Sequence, residues 1–143
     1  MDMRLKFLSD KMKAIDFGML STRTASGALA SRPMSNNGDV DYAGDSYFFT
    51  YEQARMVADI ECDARVGLTF TGAPSPRGEA PLFIAVNGSA ELIRDKAQFV
   101  AHWTRDLDIW FPNGAETPGM VMIRVRASRI HYWHGAEQGE ITL

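Results

Sequence analysis

The chain has 143 residues, a formal net charge of −3, 45% apolar and 23% charged residues. A chain this long is expected to fold as a single domain over residues 1–143, with a core that needs no covalent staple. Three Trp, four Tyr and eight Phe residues exclude a disordered polymer. The mild acidity excludes a general nucleic-acid binder, which carries a basic stripe, but leaves room for a local anion site. Cys62 stands alone, so no internal disulfide forms. Residues 1–14 are dotted with Asp2, Arg4, Lys6, Asp10, Lys11 and Lys13, unlike a secretory signal. No apolar run approaches the ~18 residues of a membrane span. The expectation is a soluble cytoplasmic protein with neither nucleic acid nor membrane as partner.

In chain order, Leu5, Leu8, Met12 and Ile15 recur at spacings of three and four, which predicts a helix over 3–15. Phe17 to Thr24 and Ala28 to Ser35 read as a hairpin around Ala25-Ser26-Gly27, with an edge or bulge at Pro33. Asn36 to Asp45 reads as a polar loop. Ser46 to Tyr51 alternates as a strand, with Tyr47, Phe49 and Tyr51 on one face and Phe48 and Thr50 on the other. Residues 53–62 read as a helix with Met56, Val57 and Ile60 on one side. Val66, Leu68 and Phe70 alternate in the next strand, and Ala73 to Pro81 reads as a loop. Leu82 to Ile93 reads as a long strand bulged at Gly88. Residues 95–104 predict a short helix with Phe99, Val100 and Trp103 inward, and 105–119 an aromatic-rich loop. The final strand starts at Val121 and continues toward Trp133. This inventory of six or seven strands and three short helices predicts a mainly β (α+β) fold. An antiparallel barrel with peripheral helices fits it better than a doubly wound sheet.

Two segments carry candidate chemistry. In Phe48-Phe49-Thr50-Tyr51-Glu52-Gln53-Ala54-Arg55 a strand ends at a threonine just before a helix starts. Such a junction presents backbone N–H groups, a hydroxyl and a guanidinium to one anion. The alternative is an ordinary strand-to-helix connection with a solvated arginine. In Ser31-Arg32-Pro33-Met34-Ser35 an arginine precedes a ladder-breaking proline. That strand either lines a groove or is an edge protected by Pro33.

Arg32-Pro33-Met34, Tyr47-Phe48-Phe49-Thr50, Arg55-Met56-Val57-Ala58-Asp59-Ile60, Arg65-Val66-Gly67-Leu68-Thr69-Phe70 and Val86-Asn87-Gly88-Ser89-Ala90-Glu91-Leu92 occur in this order. Together they resemble the pyridoxamine 5′-phosphate oxidase-like split-barrel family. Trp110-Phe111-Pro112 with Gly114, and later Tyr132-Trp133, resemble its general stress protein branch. The resemblance spans about residues 5–135.

It implies a split β-barrel homodimer with two equivalent FMN sites at the subunit interface; the residues leave FAD and a deazaflavin open. Arg32, Pro33, Met34 and Ser35 would meet the flavin, and Phe49 and Thr50 the ribityl-phosphate. Arg55 would hold the phosphate, and Trp110 and Phe111 would close over the ring or pack the partner subunit; the alternative is a loop anchored into its own core. Two departures stand out. The family's serine and lysine at the phosphate are here Ala54 and Met56. A hydrogen bond to a charged group contributes about 1.5–3 kcal/mol, so each loss weakens FMN about tenfold or more. The basic, histidine-containing tail of pyridoxamine phosphate oxidases is replaced by an acidic segment with Glu137 and Glu140, which argues against that reaction.

The remaining residues carry less. His131 and His134 are expected on opposite strand faces, and His102 stands alone. Neither a zinc spacing, a Rossmann fingerprint nor a P-loop is present. Carboxylates on both sides of Cys62 oppose its ionisation, and Trp133 carries the same two readings as Trp110, interface or core, with core packing ahead. The expectation is an FMN-binding, general-stress-type protein, with a flavin-dependent oxidoreductase of unknown substrate as its enzymatic form. The alternative is a non-enzymatic flavin-sequestering or sensing module.

Overall fold

The computed structural model describes residues 2–36, 41–73 and 75–143. The expected loop over 36–45 lies partly outside them, at 37–40, as does Pro74 of the 73–81 loop. The first helix, α1, spans Met3–Met12; Asp2 caps it by accepting from the Arg4 N–H at 2.8 Å. Leu5, Leu8 and Met12 form its buried stripe. Strands β1 (Phe17–Arg23) and β2 (Leu29–Ser35) form the expected hairpin, with Met19 opposite Pro33. Then follow β3 (Asp45–Tyr51), α2 (Arg55–Cys62), β4 (Arg65–Thr71), β5 (Leu82–Ile93) and α3 (Lys96–Ala101). Two short 3-10 turns, Arg105–Leu107 and Gly114–Glu116, order the aromatic segment that was expected to be loop. The chain closes with β6 (Met120–His134) and β7 (Glu137–Thr142).

Among the described residues the strands form one seven-stranded antiparallel sheet in the order β2-β1-β4-β5-β6-β3, with β7 also on β6. This is the split-barrel fold with three helices. The long β6 makes it possible. It pairs β5 along most of its length, while its other edge is shared between β3, at 120–126, and β7, at 129–134. The register slips between Asn87 and Gly88, as the glycine predicts. A β-carbon on Gly88 would collide with the Arg126 carbonyl group.

The inward sides of the strands, with α1 and α2, enclose the main core, which includes Leu20, Phe48, Leu68, Ile84, Ile123 and Ile130. A second, aromatic core lies behind β3 and β6. Phe49, Phe99, Leu107, Phe111, Met120 and Met122 build it, with Tyr47 and Trp103 packed against them. Phe48 and Phe49 thus serve two cores from opposite faces of one strand.

Two expectations need correction, and one segment gains a structure. Val100 is 61% exposed, because α3 is only Lys96–Ala101 and turns Phe99 rather than Val100 inward. Trp133 lies on the outer face, stacked on His131 at 4.1 Å, because it alternates with the inward Ile130 and Tyr132 side of β6. The acidic tail is β7: Ile141 is buried, and Glu140 pairs with Arg129 at 2.7 Å.

Candidate functional site

The sheet order leaves β2 and β3 as its two ends, unpaired with each other. At this seam lies a cleft of about 340 Å³. From β2 come Arg32, Pro33, Met34 and Ser35; from β3 come Phe49, Thr50 and Tyr51. Phe17 at the start of β1, Met56 of α2, and Leu107, Trp110 and Phe111 complete the walls. Eight of the nine expected site residues therefore share one cleft. Arg55 does not line it; it stands exposed at the first turn of α2.

Phe17, Tyr51 and Leu107 were not expected here, and Met56 was placed at the phosphate rather than in the ring cleft. Their sequence signal is weak because each also fits an ordinary strand or helix face. The lining is mostly aromatic and aliphatic, which suits a flat ring. Tyr51 tilts against Phe111 at 5.3 Å between ring centroids, and Phe17 meets Trp110 edge-on at 6.5 Å. Phe111 is buried, whereas Trp110 is 54% exposed at the mouth. The loop that carries them is pinned where Trp103 Nε1 donates to Asp108 Oδ1 at 3.0 Å.

Polar groups are few. Thr50 is buried and Ser35 half-buried. Arg32 is the one charged side chain lining the cleft among the described residues. Its Nη1 donates to Thr22 Oγ1 at 2.8 Å and to the Leu20 carbonyl at 3.3 Å. Burial pushes the Arg32 pKa down, and the Asp59 carboxylate opposes that shift.

Beside the cleft, α2 starts without a side-chain cap, because Ala54 at its N-cap has no acceptor. Free N–H groups there, with Arg55, form an anion-attracting corner. Arg94 bridges Glu52 and Glu61, each at 3.1 Å from Nη2, and so ties the β3–α2 connection to the helix. Among the described residues, no group of three or more His, Cys, Asp or Glu side chains can hold a metal. None of the three histidines lines the cleft. No helix among the described residues is long and apolar enough to cross a membrane.

No curated protein matches the sequence. A solved structure from Clostridium acetobutylicum is similar, with a TM-score of 0.79 at 17% identity over 100% of this chain and 97% of that one; it is a protein related to general stress protein 26 of the pyridoxinephosphate oxidase family. General stress protein 26 from Bacillus anthracis superposes with a TM-score of 0.76 at 22% identity, over 100% of both chains. A heme-binding protein from Mycobacterium smegmatis reaches 0.77 at 15% identity, over 96% of this chain and 57% of that one. These likenesses show the fold. The model of the family described as pyridoxamine 5′-phosphate oxidase like matches residues 4–143, and the chain belongs to that family.

Proposed function

We propose that this protein binds FMN in the seam cleft as a general-stress-type flavoprotein. The observation that carries this reading is convergence. Eight residues, spread from position 32 to position 111, meet in one ring-sized cleft beside an uncapped helix start bearing Arg55. Aromatic and aliphatic walls suit an isoalloxazine, and the α2 N–H groups with Arg55 and Thr50 suit a phosphate. When bound, a flavin supplies hydride and single-electron chemistry, while this chain's residues bind, orient and exclude water. Among the described residues the cleft is lined by no histidine, carboxylate, lysine or cysteine, and Tyr51 carries the one phenolic hydroxyl in its wall.

We further propose that the protein works as a homodimer. Across the outer face runs the row Pro33, Met19, Thr69, Ala85 and His131, which meets a carboxylate at its β7 end, Glu140. Phe17, Met19 and Phe83 are each more than 40% exposed on this face. Such a surface is a candidate for a self-complementary twofold contact. Phe17 and Pro33 belong both to it and to the cleft, so a partner subunit would complete the flavin pocket. One free, exposed cysteine suits a reducing cytoplasm.

The deciding experiment is titration of purified protein with FMN, followed by flavin fluorescence and the spectrum of any co-purified ligand. Saturable quenching or a flavin spectrum supports the reading. No binding, or a haem Soret band in its place, overturns it. The second reading, a non-enzymatic flavin binder, is favoured by Ala54 and Met56 at the phosphate corner. Anaerobic mixing of the FMN-loaded protein with NAD(P)H separates the two: rapid bleaching identifies a reductase, and an unbleached flavin identifies a binder. Oxidation of a phosphorylated B6 vitamer is disfavoured, since among the described residues the one cation lining the cleft, Arg32, already faces Asp59.

A further inference from the structure

Arg32, the charge in the cleft wall, has a counter-ion behind it. Asp59 sits on the inner side of α2 and is 6% exposed. Thr22, enclosed on β1, donates its hydroxyl hydrogen to Asp59 Oδ2 at 2.8 Å. The same hydroxyl oxygen accepts from Arg32 Nη1, also at 2.8 Å. Arg32 Nη2 stands 3.7 Å from Asp59 Oδ2. Thr22 therefore uses its hydrogen on the carboxylate and its lone pair on the guanidinium, which fixes the orientation of all three groups. In a weakly solvated wall either charge alone would be unfavourable, and together they cancel.

We propose that Asp59 is a positioning residue that, through Thr22, holds Arg32 against the cleft wall and cancels its charge, so that the cleft offers its ligand a neutral donor wall rather than a cation. Resting on the flavin reading, this means that the neutral oxidised ring is accepted without a bias toward its reduced anion. A bare arginine at the same place would favour the anion. The serine–lysine departures at the phosphate corner then have a counterpart in the cleft, where the remaining cation is also muted.

The test is Asp59→Asn, which keeps an acceptor for Thr22 and removes the charge. With FMN bound, the unmasked Arg32 should favour reduced over oxidised flavin about tenfold, a shift of about 30 mV to more positive potential. Arg32→Met, which strands the carboxylate, should shift the potential the opposite way. The double variant, neutral again, should return to the wild-type value. An Asp59→Asn protein that melts like wild type, binds FMN and keeps its potential overturns the proposal.

A second readout needs no flavin. Trp110 shares the cleft with Arg32, so iodide quenching, taken as a ratio to neutral acrylamide and with Trp110→Phe subtracted, reports the local charge. Asp59→Asn should raise that ratio about twofold. An unchanged ratio in folded protein overturns the proposal, whereas failure of wild-type protein to bind FMN overturns only the flavin reading.

Discussion

Gly18 and Phe70 face each other across β1 and β4, and a β-carbon on Gly18 would sit 2.6 Å from the Phe70 ring. The ring is buried in the main core and the glycine is what lets β1 pass over it. Gly18→Ala should overpack this contact and cost about 1–3 kcal/mol. A thermal melt should show Tm lowered by several degrees; an unchanged Tm would mean that the ring has room to move.

The aromatic pair at the cleft should divide into a structural and a binding residue. Phe111 is buried in the second core, so Phe111→Ala should destabilise by about 3–5 kcal/mol. Trp110 is half exposed, so Trp110→Ala should cost less than about 1 kcal/mol in denaturant titration. The same change should weaken FMN about tenfold through lost ring contact. Equal effects on stability from both variants would contradict this division.

Restoring a serine at the helix start should do two separable things. Ala54→Ser supplies the missing N-cap and should stabilise the free protein by about 0.5–2 kcal/mol. It should also tighten FMN about tenfold while leaving riboflavin, which lacks the phosphate, unchanged. Calorimetric titration with both ligands checks it; equal tightening of both would place the phosphate elsewhere.

Much of this architecture was legible locally. The alternation Tyr47-Phe48-Phe49-Thr50-Tyr51 states both faces of β3, and Gly88 marks the slip in β5. β7 was not legible, because Ile141 is the single apolar residue in Glu137–Thr142 and its partner strand supplies the pattern. Eight of the twelve residues lining the cleft were named by resemblance, but the state of Arg32 was not legible. Its counter-ion lies 27 positions away on a helix, and only tertiary packing brings the two together.

A charged side chain on the outer face should report on assembly. Met19→Arg places a guanidinium between Pro33 and Thr69 on this face, where a twofold contact would bring two copies together. Sedimentation equilibrium should show a dimer becoming a monomer, with FMN binding weakened in parallel. A wild-type protein that sediments as a monomer would rule out the interface.

Acid titration isolates one ion pair. Arg65 donates to Asp63 through Nε at 3.0 Å and Nη2 at 2.8 Å, and these side-chain hydrogen bonds hold the Asp63 pKa at about 2 instead of 3.8. A depressed carboxylate pKa favours the folded state above the ordinary value, and that contribution disappears as pH falls through the depressed one. NMR titration should place the Asp63 midpoint near 2, and Arg65→Gln should return it toward 3.8. An unmoved midpoint in the variant would assign the shift to the backbone instead.

The seam between β2 and β3 has a mechanical consequence. Every other strand junction along the sheet is bridged by ladder hydrogen bonds, and moving those strands apart would break them. At the seam the gap is set by side chains such as Phe49, Met56 and Trp110, whose torsions turn at low cost. The cleft can thus widen or narrow with the sheet left intact. Its breadth is then set by a few side chains rather than by the barrel.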